Sequence, residues 1–205
     1  GGAHAHSVIR VTPGSIFHLT VGAGGAGGTS PYTLSEGHGQ NGGNTYISDS
    51  NNELLVVAEG GKGASFAWLS QGGSLGGNGG RYAASIGTVI HTGGKGGDAG
   101  SSYSGAGGGA GGRTHEGYNA TGLNAGSAGS CYCGIPGAGG MGLNTTGSGT
   151  AAPNYENKGR GVIYAGGGGA GGFDSGWGTQ IGGKGANGHI RIKEQQILGD
   201  IIGQT

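Results

Sequence analysis

Seven side chains in this sequence have the chemistry of a binding surface: Tyr103, His115, Tyr118, Asn119, Tyr132, Tyr155 and Trp177. Tyr and Trp supply large rigid contact area, and small polar neighbours supply adaptable hydrogen bonds, the mixture that antibody loops use. Tyr32 and Tyr82 are weaker members of the same set, whereas Phe66 and Trp68 read as packing residues. His4 and His6 form an H-x-H pair that on a strand would share one face, an arrangement able to ring a metal ion if several copies met. A solvated terminus is the simpler reading, and no metal or other cofactor is assigned.

Catalytic patterns are missing. There is no G-x-S-x-G elbow, no H-E-x-x-H and no G-x-x-x-x-G-K-[ST] phosphate loop, and the acidic residues are scattered, so an enzyme is not expected. Ten basic and ten acidic residues balance, and the basic ones do not cluster as phosphate contacts require, which argues against nucleic acid. No apolar run approaches the ~20 residues that span a bilayer. Cys131 and Cys133 are separated by one residue, which rarely permits a relaxed disulfide and cannot make a zinc site alone. The start on Gly1 rather than Met reads as a fragment or processed product.

The elements that must hold these side chains are unusual. Sixty of 205 residues are glycine, and Ile, Leu, Val and Phe together number only 32, too few for an ordinary core. The glycines come in runs at 22–28, 72–80, 93–100, 105–112, 134–142, 166–172 and 182–188. The first of these, GAGGAGG, repeats with a period of three, which belongs to neither an α-helix nor a strand. It matches polyproline II geometry, with three residues per turn and a rise of ~3.1 Å. Such a rod has no internal hydrogen bonds, so its N–H and C=O groups must pair outward with neighbouring rods. One rod alone would be disordered; about six to eight together form a lattice.

Between the runs lie short strand patterns. Residues 6–11 and 15–21 flank Thr12-Pro13-Gly14, a Pro-Gly pair suited to a type II turn, and read as a hairpin with Phe17, Leu19 and Val21 on its inner face. A second hairpin joins 44–48 to 53–58 through Asp49-Ser-Asn-Asn52, and single strands are expected at 87–91, 161–164 and 189–193. Residues 29–41, 101–104, 113–124, 130–133 and 143–158 read as loops. The expected fold class is mostly irregular and β: a bundle of polyglycine II helices linked by variable loops, with a small antiparallel β element. It comprises one domain over 1–193 and an extension, 194–205, whose apolar positions 197, 198, 201 and 202 suit packing or a subunit contact.

The succession VIRVTPGSIFHLTVGAGGAGG, GGNTYISDSNNELLVVAEGGKGA and a closing GGKGANGHIRI resembles the glycine-rich domains of bacteriophage tail fibres and tail-fibre-tip adhesins, over roughly residues 1–193. This resemblance implies a virion protein outside the cell that binds a bacterial surface receptor, an outer-membrane protein or a glycan, through loops between polyglycine rods. It also implies fellow fibre subunits, with homo-oligomerisation. The chain departs from the pattern in having no recognisable fibre-docking segment and in carrying the 194–205 tail. A structural subunit of a filament or coat is the alternative. An ice-binding protein is a further one, disfavoured by the bulky irregular loops.

Overall fold

A computed structural model describes residues 1–28, 38–65, 75–98, 106–121 and 184–194. Five short strands appear among them: β1 His4–His6, β2 Phe17–Thr20, β3 Thr45–Asp49, β4 Leu54–Ala58 and β5 Val89–His91. They form two antiparallel sheets, a pair β1–β5 and a triplet in the order β2–β3–β4. The remaining described residues are irregular or extended, apart from one 3₁₀ turn at Tyr82–Ala84, and none is α-helical.

Each sheet runs directly into glycine. Thr20 pairs with Tyr46 in the β2–β3 ladder, and the same register continues when Gly43 N–H donates to Ala23 O (2.9 Å) and Gln40 N–H to Ala26 O (2.9 Å). Thr45 pairs with Ala58, followed by Gly42 N–H to Gly61 O (2.9 Å) and Gly39 N–H to Ala64 O (3.1 Å). Past the strands the bonds fall on every third residue, the spacing of a polyglycine II rod. Residues 93–97 show why. Gly93 and Gly96 donate to Gly80 O and Gly77 O (3.0 and 2.9 Å), Gly94 and Gly97 donate to Gly109 O and Ala106 O (both 2.8 Å), and Lys95 N–H donates to Asn119 Oδ1 (2.7 Å). Three successive amides thus address three different neighbours, as a threefold screw demands.

Nine stretches of described residues take part: 1–3, 22–26, 39–44, 59–65, 75–80, 92–97, 106–112, 115–120 and 185–188. Residues 1–3 are central. Gly1 N donates to Gly94 O (2.8 Å), Gly80 N–H to Gly1 O (2.8 Å), Gly111 N–H to Gly2 O (2.9 Å) and Ala3 N–H to Glu59 O (2.8 Å). Glycine is needed here for approach rather than for backbone angle, since Gly14 alone among the described glycines has a positive φ. A Cβ on Gly108 would sit against Gly94 O, and one on Gly111 against His91 O, both inside the 3.0 Å that real Cβ atoms do not breach. The chain substitutes alanine where a methyl fits, and Ala3, Ala106, Ala110 and Ala186 are buried. Val57 is the one larger apolar residue among the buried described positions. Cohesion therefore comes mainly from cross-linked backbone, with rod amides donating to the carbonyls of neighbouring rods.

Several expectations change. The hairpin of 6–11 with 15–21 does not form: β1 pairs with β5 and β2 with β3. Its turn does form, with Ser15 N–H to Thr12 O at 3.1 Å and Gly14 at φ +88°. The turn fixes local geometry, but lattice position selects the partner strands. The inner face proposed for Phe17, Leu19 and Val21 is open, with Leu19 and Val21 about half exposed, because no described layer covers it. Residues 189–193 are not a strand, although 185–188 lie along 22–25. Of the assigned loops, 39–41 and 115–120 belong to rods, because only the faces against neighbours require glycine; this is also why the rods outnumber the six to eight expected. The 161–164 strand lies outside the described residues.

Candidate functional site

The described part of the candidate surface is the rod–turn–rod of residues 106–120. Gly109 N–H donates to Tyr118 O (3.0 Å) and Gly112 N–H to His115 O (2.8 Å), which closes the turn at 113–114. The second rod is anchored from its other side, where Gly117 N–H donates to Thr92 O and Ala120 N–H to Lys95 O (both 2.8 Å). A Cβ at Gly117 would collide with Gly109 O, so glycine is required at that one point of an otherwise side-chain-rich segment.

On this fixed backbone Arg113, Thr114, His115, Glu116 and Tyr118 are exposed. His115 Nδ1 lies 3.0 Å from Thr114 Oγ1, and the Tyr118 side chain stands away from the rods, with the residue 59% exposed. Asn119 is placed differently. Its Oδ1 accepts the Lys95 amide, so part of its hydrogen-bonding capacity holds two rods together. Tyr82 is exposed in its 3₁₀ turn. Tyr103, Tyr132, Tyr155 and Trp177, with Tyr32, Phe66, Trp68 and both cysteines, lie outside the described residues.

Beside the turn lies a histidine cluster. His4 is opposite His91 in the β1–β5 ladder, and His6 shares the His4 face. The His4 Nε2 is buried without a hydrogen-bond partner. Burial, then the positive charge of His91, His6 and Arg113, lowers the His4 pKa to about 4, so the ring is neutral at pH 7. Among the described residues no three His, Cys, Asp or Glu side chains gather as a metal set.

Two features escaped sequence reading. Glu59, at the junction of β4 with its rod, is 3% exposed. Its carboxylate accepts the Arg81 amide (2.6 Å) and Arg81 Nε (3.2 Å), and pairs with Lys62 Nζ (2.8 Å) and Arg81 Nη2 (3.2 Å). Burial pushes its pKa up, but the hydrogen bonds from Arg81 and Lys62 outweigh it and hold the group at about 2. Second, Asn41, Asn44, Asp98, Asn119 and Asn187 each present a side-chain oxygen to a backbone N–H of another rod, at Gly63, Gly60, Gly76, Lys95 and Gly24. The recurrence of Asn or Asp in or beside glycine runs, as in Asn41-Gly-Gly-Asn44, was the available signal.

Fold and surface together define a glycine-rod scaffold that presents side chains on a hydrogen-bonded frame. The chain belongs to the glycine-rich domain family, whose model matches residues 1–194. No curated protein and no solved structure matches it. Among the described residues no helix is long and apolar enough to cross a membrane.

Proposed function

We propose that this domain is a receptor-binding adhesin of a phage tail fibre, which recognises a bacterial surface protein or glycan through side chains carried between and along its rods. The observation that carries the reading is the 106–120 rod–turn–rod. Its backbone is tied to two neighbouring rods, while Tyr118 and His115 remain exposed. A surface already ordered before contact loses less conformational entropy on binding. Membership of the glycine-rich family and the resemblance to tail-fibre domains supply the biological setting.

The test is binding of the labelled domain to host cells. Tyr118→Ala and Tyr155→Ala should each weaken saturable binding while the thermal melt is unchanged; full binding by both folded variants would remove the central support. A structural filament subunit is the second reading, favoured by the exposed apolar residues Val8, Val11, Ile16, Leu19 and Val21. It requires concentration-dependent polymerisation in sedimentation, without saturable attachment to cells.

A further inference from the structure

The β2–β3–β4 triplet gathers a second set of side chains. In its ladders His18 lies opposite Ser48, Thr20 opposite Tyr46, Tyr46 opposite Val57 and Ser48 opposite Leu54. Opposed residues share a face, so these six stand on one side of the sheet. Asn44 from the incoming rod and Asn52 from the turn complete the wall of an open groove of about 620 Å³. That volume falls within the roughly 300–1,000 Å³ of small-molecule sites.

The lining is chemically narrow. Thr20, Ser48 and Tyr46 contribute hydroxyls that both donate and accept, and the His18 ring nitrogens add further hydrogen-bonding positions. Asn44 accepts the Gly60 N–H through Oδ1 (3.1 Å), which orients its amide and leaves the NH₂ to donate. Val57 is buried in the floor opposite Tyr46, and Leu54, opposite Ser48, is half exposed. Among the described residues no Asp, Glu, Lys or Arg lines the groove. Asp49, beside Ser48, points to the opposite face, and its Oδ1 accepts the Asn51 and Glu53 amides (2.9 and 2.8 Å). A charged ligand would find no Asp, Glu, Lys or Arg partner among these described side chains, and a purely apolar one would strand the hydroxyls without partners. A pyranose matches both halves, with hydroxyl edges and C–H faces.

The geometry points to a binding site for a neutral saccharide in this groove. It is distinct from the Tyr118 surface, and relies on the adhesin reading only for the biological source of the sugar. The experiment is saturation-transfer NMR and titration calorimetry on the full chain. The probes are neutral tetrasaccharides of mannose, galactose and N-acetylglucosamine, with sialyllactose and a heparin tetrasaccharide as charged comparisons. At least one neutral probe should bind saturably. Tyr46→Leu and Thr20→Val should each weaken it ten-fold or more while Tyr118→Ala does not. Thr20 is exposed, so Thr20→Val carries the test if Tyr46→Leu does not fold. Absence of saturable neutral binding, equal binding of the charged probes, or unchanged affinity in the folded variants would overturn the assignment. Loss of cell attachment with intact sugar binding in Tyr118→Ala would separate the two sites. Sugar binding by a domain that never attaches to cells would overturn the adhesin reading and leave the groove standing.

Discussion

Two glycine-to-alanine changes that look equivalent in the sequence should have opposite effects. At Gly108 a methyl would press on the backbone of Gly94 and Lys95, well inside contact distance. The two rods must then separate by about 1 Å, which stretches the 2.8 Å bonds from Gly94 to Gly109 and from Gly97 to Ala106 past useful length. Each buried amide left without its partner costs about 1–3 kcal/mol, and the stiffer unfolded chain returns about 0.4–1 kcal/mol. The expected loss for Gly108→Ala is about 2–5 kcal/mol, a Tm decrease of roughly 5–20 °C for a chain of this size. At Gly42 the nearest atom to a new Cβ is Gly61 O at 3.6 Å, an ordinary contact. There only the unfolded-state effect acts, so Gly42→Ala should be neutral or raise Tm by about 1–4 °C. Differential scanning calorimetry of both variants decides the matter. Equal shifts, or Gly108→Ala within a degree of the parent, would refute the claim that rod proximity is what demands glycine.

Acid should weaken the fold through two side chains, His4 and Glu59. The His4 pKa falls from 6.5 unfolded to about 4 folded, so the His4 contribution is complete above pH 6.5 and is lost as pH drops toward 4; His4→Gln should reduce the slope of urea midpoints over that interval. The Glu59 pKa falls from 4.5 to about 2, so its contribution is present above pH 4.5 and is lost toward pH 2. Each contribution is worth at most about 3 kcal/mol, and Glu59→Gln should abolish the second. Asn119→Ala leaves the Lys95 amide without its acceptor and should cost about 0.5–1.5 kcal/mol, with faster hydrogen exchange at Lys95, whereas Asn119→Asp keeps the acceptor and restores protection. If Ala and Asp at position 119 exchange alike, the side-chain cross-link has no energetic role.

The Asp49–Asn52 turn was legible because its chemistry is local: Asp49 caps the turn and Asn52 takes φ +64°. The same holds for β5, for the Pro13-Gly14 turn and for the threefold period of 22–28. Partner choice was not legible. Every rod offers the same amides and carbonyls, so nothing in the sequence says that β1 pairs with β5 or that residues 1–3 occupy the centre. Within the candidate site, exposure of His115 and Tyr118 follows from polar surroundings, but the tie from Asn119 to Lys95 depends on which rod lies alongside. The Glu59 cluster was not legible either, because Arg81 reaches it from 22 residues along the chain.

The handover from paired strands to rods gives the chain something like a reading frame in space. Adding one or two residues to a rod would turn everything beyond them by about 120° or 240°, carrying methyl-bearing faces into gaps that admit only hydrogen. Three residues would restore every face and lengthen the rod by about 9 Å. Length within the frame is therefore counted in triplets, while the segments that join rods are free of that arithmetic and can diversify without disturbing it.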